Sequence, residues 1–185
     1  MARGVTTALN TQLTSASLRP FFAVNLDFSG GAFVTWTGYG NITFDSTTFV
    51  GSGEVLNISE ISESGAVQAN GITVTLNGLD SSLISAALQD NYQGRAATVY
   101  LGTLTSAGAV VADPYKVFIG RMDTMSIADD GERATIVISC ENRLISLNRN
   151  KVRRYTSEDQ KSEFSGDKGL EFVSSLQEKS IRWGR

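Results

Sequence analysis

The 185-residue chain contains no histidine and a single cysteine, Cys140. Nucleophilic catalysis through a Ser-His or Cys-His pair is therefore excluded, and so is an imidazole-ligated metal. One cysteine can form neither an internal disulfide nor a thiolate cluster. It ends the run Ile136-Val137-Ile138-Ser139-Cys140, where strand alternation sets it on the face of Ile136 and Ile138. A packed, unreactive thiol is expected. Carboxylates are the remaining candidates. Glu60 and Glu63 are three apart, so on a strand they face opposite sides. With Glu54 they are expected to be solvated strand-edge groups rather than an acid–base pair or a calcium site. Asp123, Asp129, Asp130 and Glu132 surround a turn without EF-hand spacing, and Asp129-Asp130-Gly131 already has the composition of a hairpin turn. Ser29-Gly30-Gly31 and Gly51-Ser52-Gly53 fit turns between strands, since neither belongs to a phosphate-binding glycine motif. No catalytic residue, metal ligand or cofactor is expected, and the chain is expected not to be an enzyme.

The net charge of −3 is unevenly spread. Residues 1–140 hold 12 acids and 6 bases, a net −6, whereas residues 141–185 hold 7 acids and 10 bases, a net +3. Arg149, Lys151, Arg153 and Arg154 concentrate the positive charge. Only Tyr155 accompanies them as a stacking group, so an acidic face of a protein suits this cluster better than nucleic acid does. Tyr155, Phe164, Phe172 and Trp183 lie in the same weakly patterned stretch, which is expected to bury them against a neighbouring subunit. These eight residues are the candidate interface.

The elements that position these groups are mostly strands. Apolar residues make up 41% of the chain and aromatics 9%, enough for a substantial core. No apolar run approaches the roughly 18 residues of a membrane span, and the N-terminus shows no apolar signal region, so no membrane association is expected. Val5, Leu9 and Leu13, four apart, predict a short helix within an N-terminal arm, residues 1–19. After Pro20 the period becomes two. Phe22, Val24, Leu26 and Phe28 predict a strand that returns through Phe33 to Trp36, and a second hairpin turns at Asp45-Ser46. Strands are further predicted over 54–63, 67–76, 94–104, 110–122, 122–127 and 134–140. One short helix over 81–89 is capped by Asp80 and buries Leu83, Ile84, Ala87 and Leu88. Eight or nine strands in residues 20–140 make a barrel or sandwich. Residues 141–185 form an extension with short helices, one of them capped by Thr156 or Ser157.

Phe22-Ala-Val-Asn-Leu-Asp-Phe28, Trp36-Thr-Gly-Tyr-Gly40, Gly53-Glu-Val-Leu-Asn-Ile58 and Asn70-Gly-Ile-Thr-Val-Thr-Leu-Asn-Gly-Leu79 are followed by three further segments. These are Tyr92-Gln-Gly-Arg-Ala-Ala-Thr-Val-Tyr-Leu-Gly102, Phe118-Ile-Gly-Arg-Met-Asp123 and Glu141-Asn-Arg-Leu144. Their order and spacing over residues 20–184 resemble the tail-hub and tail-tip proteins (distal tail, baseplate hub) of siphophages. The resemblance implies a hub-type β-barrel related to tail-tube modules. It implies a virion protein, assembled in the host cytoplasm, that forms a trimeric or hexameric ring at the tail tip. Its partners would be other copies of itself, the tail-tube protein, the tape measure and further tail-tip proteins, with DNA only passing through the lumen. Some members of the family with a further C-terminal part carry a cysteine-bound iron–sulfur cluster. Val152-Arg-Arg-Tyr155 and Ser165-Gly-Asp167 are similar to that region, but the cysteines are missing here, so no cluster is expected. Two other readings are a carbohydrate-binding β-sandwich, with Trp36 and Tyr39 as stacking platforms, and a hydrolase with converging carboxylates.

Overall fold

The computed structural model describes residues 4–53, 55–62, 65, 68, 70–77, 84–85, 88–129, 134–147, 152–176, 179–180 and 183–184. The alternating run after Pro20 becomes β1 (Pro20–Phe28), with the proline at its first position, where a missing N–H disturbs the ladder least. It pairs antiparallel with β2 (Gly31–Trp36). β3 (Tyr39–Phe44) and β4 (Thr47–Ser52) form the second hairpin around Asp45 and Ser46, at φ 50° and 56°. Two consecutive positive φ values give a two-residue loop whose twist matches that of the flanking strands.

The remaining strands are β5 (Val55–Ile58), β6 (Gly71–Asn77), β7 (Ala96–Thr103), β8 (Tyr115–Asp129) and β9 (Ala134–Asn142). They join one nine-stranded sheet in the order β3-β4-β2-β1-β7-β8-β9-β6-β5. The sheet is mixed because β2 and β4 run parallel, held by Thr35 Oγ1, which donates to the Val50 carbonyl at 2.9 Å. The expected mainly β fold is observed. The two strands expected over 110–122 and 122–127 are one strand, β8, while the strand expected over 54–63 ends at Ile58.

β1 is buried on both faces. Phe21 and Ala23 pack with Trp36, Ile42, Phe49 and Tyr100, whereas Val24, Leu26 and Phe28 pack with Ile72, Val74, Val99, Met122, Ile136 and Ile138. The first cluster is aromatic. Phe44 stacks on Phe49 with centroids 4.3 Å apart, and Tyr100 meets both rings edge-on. Such pairs add ~0.5–1.5 kcal/mol each beyond their buried area. The second cluster fills the inside of a roll. Phe22 of β1, Leu101 of β7 and Val117 of β8 line one groove with Val55 and Ile58 of β5. A flat sheet would hold β1 and β5 about 24 Å apart, so the sheet must curl to bring them together.

Two bulges on β8 keep its side chains in phase with that core. The extra residue at Val117 lets Val117 and Phe118 both reach it, and the one at Asp123 returns Met125 to the inward side after Met122. Phe22, expected inside with Val24, is 37% exposed at the open end of the same face, and its neighbour Phe21 is the buried one.

α1 (Thr7–Leu13) is capped by Thr6, whose hydroxyl accepts from the Leu9 amide, and it buries Leu9. Of the helix expected over 81–89, only Ile84, Ser85, Leu88 and Gln89 are described, all helical. Ile84 packs on the roll's core, but Leu88 is 71% exposed, contrary to expectation, next to the last helical residue, Gln89. Asp80, Leu83 and Ala87 lie outside the described residues. After β9 comes a 3-10 turn, Arg143–Leu147.

The chain divides into two compact units, residues 1–146 and residues 147–185. The second contains α2 (Ser157–Glu163) and α3 (Val173–Leu176). Thr156 caps α2 by accepting from the Asp159 amide.

Candidate functional site

Among the described residues, the groups singled out for chemistry do not converge on one site, and no three His, Cys, Asp or Glu side chains come together. Glu60 is exposed beside β5, while Glu54, Glu63, Asp130 and Glu132 lie outside the described residues. Cys140 is 1% exposed among Ile136, Ile138 and Met122, and burial pushes its thiol up to about 12. A thiol so placed is neither a nucleophile nor a ligand at neutral pH. Trp36 is buried, its Nε1 donating to the Gly40 carbonyl at 2.8 Å and its ring packed edge-on against Phe21. It therefore offers no face to a sugar, although Tyr39 is 86% exposed.

The C-terminal candidates are of two kinds. Arg153 is engaged within its own unit, with Nε 2.9 Å from Asp159 and Nη1 2.6 Å from Glu163. It spans α2 from Asp159 in its first turn to Glu163 at its end, and is not a free cation. Arg154 and Tyr155 are exposed, as are Phe164, Phe172 and Trp183. Arg149 and Lys151 lie outside the described residues. Asp167 accepts from Gln160 Nε2 and from the Gly169 amide, and these bonds, the first foremost, hold its carboxyl below the usual carboxylate range.

Three further arrangements were not visible in the sequence. Asp45, at the β3–β4 turn, accepts from Tyr100 at 3.2 Å and pairs with Lys116 at 3.0 Å, and the Lys116 ammonium lies 5.5 Å from the Tyr100 ring centre. Hydrogen bonds from Lys116 and then Tyr100 hold the Asp45 carboxyl low, the same partner raises Lys116, and burial raises Tyr100. This clip ties the β3–β4 hairpin to β7 and β8. A second feature is the open groove of about 540 Å³ between β5 and the β1–β7–β8 face, lined mainly by Phe22, Val55, Ile58, Ile61, Leu101 and Val117.

The third is a cavity of about 450 Å³ that collects Arg95, Arg121 and Arg143 with Asp27. Strand register assembles it. Ala96 sits across from Arg121, and Gly120 across from Asn142, so residues that are distant in sequence meet at one end of three neighbouring strands.

No family model matches the chain, and no curated protein does. Among solved structures it is similar to a chain in the virion of a native gene transfer agent particle. The TM-score is 0.61 at 18% identity, over 82% of this chain and 49% of that one. The chain thus spans about half the length of the virion chain it matches, and at this identity the likeness concerns the fold.

Proposed function

We propose that this chain is a non-catalytic structural protein of a phage-like virion, forming a closed ring of three or six copies at the distal end of a long tail. There it joins the tail tube to the tip or receptor-binding proteins. The observation that carries this reading is the fold shared with a virion chain over 82% of this chain and about half of that one. The tail-tip position draws on the strand-and-turn segments quoted above, which resemble the hub family. The second unit supports assembly. Tyr155 is 91% and Trp183 90% exposed, and Phe164 and Phe172 lie open with Val152, Val173 and Leu176. Groups of this kind are the usual anchors of protein interfaces. Ring closure requires a heterologous contact between two different faces of each copy. The opposite charges of the two ends of the chain favour that contact, and the open groove between β5 and β1 adds an apolar surface to it. The tail tube, the tape measure and other tip proteins would complete the set of partners.

Immunogold labelling of purified particles with antibody against this chain tests the position. Gold confined to the distal tail end is the expected result. Labelling of the capsid, or no labelling of particles that contain every other structural protein, would overturn the reading.

A further inference from the structure

We infer that the cavity of Arg95, Arg121 and Arg143 is a preformed oxyanion site that takes a carboxylate side chain from a second copy of this chain. The inference rests on the proposed assembly and specifies one of its contacts. Residues 1–146 contain only seven Lys and Arg residues against 13 acids, yet three of the seven line this one cavity. Asp27 is the sole carboxylate in the lining, and Glu141 lies opposite Arg121 on β9. The guanidinium groups outnumber these carboxylates in a region whose overall charge is −6.

Two of the three guanidinium groups are already oriented. Arg95 donates through Nε to the Asp27 carbonyl at 2.7 Å and through Nη2 to the Asp27 carboxylate at 2.9 Å. Arg121 donates through Nη1 to the Gly94 carbonyl. The segment beneath them is fixed by backbone bonds from Gly94 to Met122 and from Met122 back to Arg95, at 2.7 and 2.9 Å. Each guanidinium has five N–H donors, so both retain several for a ligand. No described residue pairs with Arg143, which stands exposed at the rim. Held in this way, the forks match the paired oxygens of a carboxylate and lose little freedom on binding one.

The source of the oxyanion follows from the rest of the molecule. A second copy presents many carboxylates on its acidic unit, and joining one of them to this cavity is a contact between unlike faces, as a ring demands. Duplex DNA suits the site less well. Binding along a duplex draws on a row of basic groups that neutralise successive phosphates, whereas this unit offers three arginines at one point and few other cations.

Sedimentation velocity of the full chain tests the site, comparing wild type with Arg143→Ala, Arg121→Ala and Arg143→Lys. Wild type is expected to associate, less so as sodium chloride rises from about 50 to about 300 mM. Arg143→Ala should raise the concentration for half-association at least about tenfold, with Arg143→Lys between the two, because ammonium is a point charge without a fork. Millimolar inorganic phosphate should weaken association of wild type and leave Arg143→Ala unaffected. Arg143 is exposed and pairs with no described residue, so its variants should keep the wild-type melting temperature, and Arg121→Ala provides a second, independent lesion. If both alanine variants associate as wild type does, the site is refuted while the ring reading stands. A wild type that stays monomeric at every concentration refutes the second copy as occupant, and the virion position is then judged by the gold label alone. Binding of a short DNA duplex that Arg143→Ala abolishes would assign the site to nucleic acid instead and overturn the proposal.

Discussion

Residues 1–146 and residues 147–185 solve the problem of burying apolar groups in opposite ways. The first unit places Phe28, Phe49, Leu26, Leu76, Ile136 and Ile138 almost wholly out of water, in two cores on the two faces of β1 and β7. In the second unit no described apolar side chain is buried, while Leu147, Val152, Tyr155, Phe164, Phe172, Leu176 and Trp183 are all more than half exposed. Its order comes from polar local devices instead: the Thr156 cap, the clasp of Arg153 on Asp159 and Glu163, and the Asp167 turn. Exposed contacts of that sort contribute little each. The first unit carries cores of its own, and the proposed assembly would supply the cover that the described apolar groups of the second unit lack.

The sharpest way to break this contrast is to remove a buried ring from the first unit. Phe49→Ala empties the aromatic cluster beneath Phe44 and Tyr100 and should cost ~3–5 kcal/mol of unfolding free energy in a urea titration. A loss below about 1 kcal/mol would mean that the cluster is not close-packed. Next comes Gly51→Ala. A Cβ there would stand 2.3 Å from the Gly38 carbonyl oxygen and 2.5 Å from Trp36 Nε1. Neither backbone nor a buried indole yields easily, so ~1–3 kcal/mol should be lost, with a change in tryptophan fluorescence.

How much of this contrast could be read from residue order depended on the range of the cause. Ile136, Ile138 and Cys140 declared their shared face through simple alternation, and Asp45-Ser46 declared its turn through composition. Phe21 escaped because β1 is covered on both sides, and a period-two reading assigns only one side to the core. The bulges at Val117 and Asp123 escaped because nothing in the local residue types marks an extra residue in a ladder. Arg95, Arg121 and Arg143 looked like ordinary isolated cations, and only the register of β7, β8 and β9 gathers them. The aromatics of the second unit were legible as unpacked for the converse reason: no period placed them on any face.

Alkaline titration gives a smaller effect. Burial raises the Cys140 pKa from 9.0 to about 12, so the folded state holds the proton more tightly than the unfolded chain does. The resulting stability is complete below about 9 and is lost as pH rises towards about 12, with a slope of at most ~1.4 kcal/mol per pH unit. Tyr100 is shifted in the same direction and adds to this limb. Cys140→Ala should make the limb shallower in denaturant melts between those pH values, and an unchanged slope would show that the thiol meets water.

The Asp45 clip contributes less still, since its carboxylate and Lys116 are both about half exposed. The Asp45 pKa lies below its usual 3.8, so the stabilisation is present above that value and fades as pH falls through the depressed one. Asp45→Asn keeps a residue that tolerates positive φ and should cost under ~1 kcal/mol at neutral pH. Once pH has fallen below the depressed Asp45 pKa, the variant and wild type should converge. Persistent separation there would assign the cost to the turn and not to the charge.

The smallest effect belongs to the second unit, and it bears most directly on the contrast. Trp183→Ala and Phe172→Ala remove large apolar side chains from positions 90% and 67% exposed. Each should shift the unfolding free energy of the isolated chain by less than ~0.5 kcal/mol, as truncations at exposed positions do. In assembled particles the same substitutions should reduce incorporation of the chain, read as its abundance relative to the other structural proteins. A loss of about 2 kcal/mol or more in the isolated chain would mean that these rings already rest on a core, and the division between a unit with cores of its own and one whose apolar groups lack cover would fall.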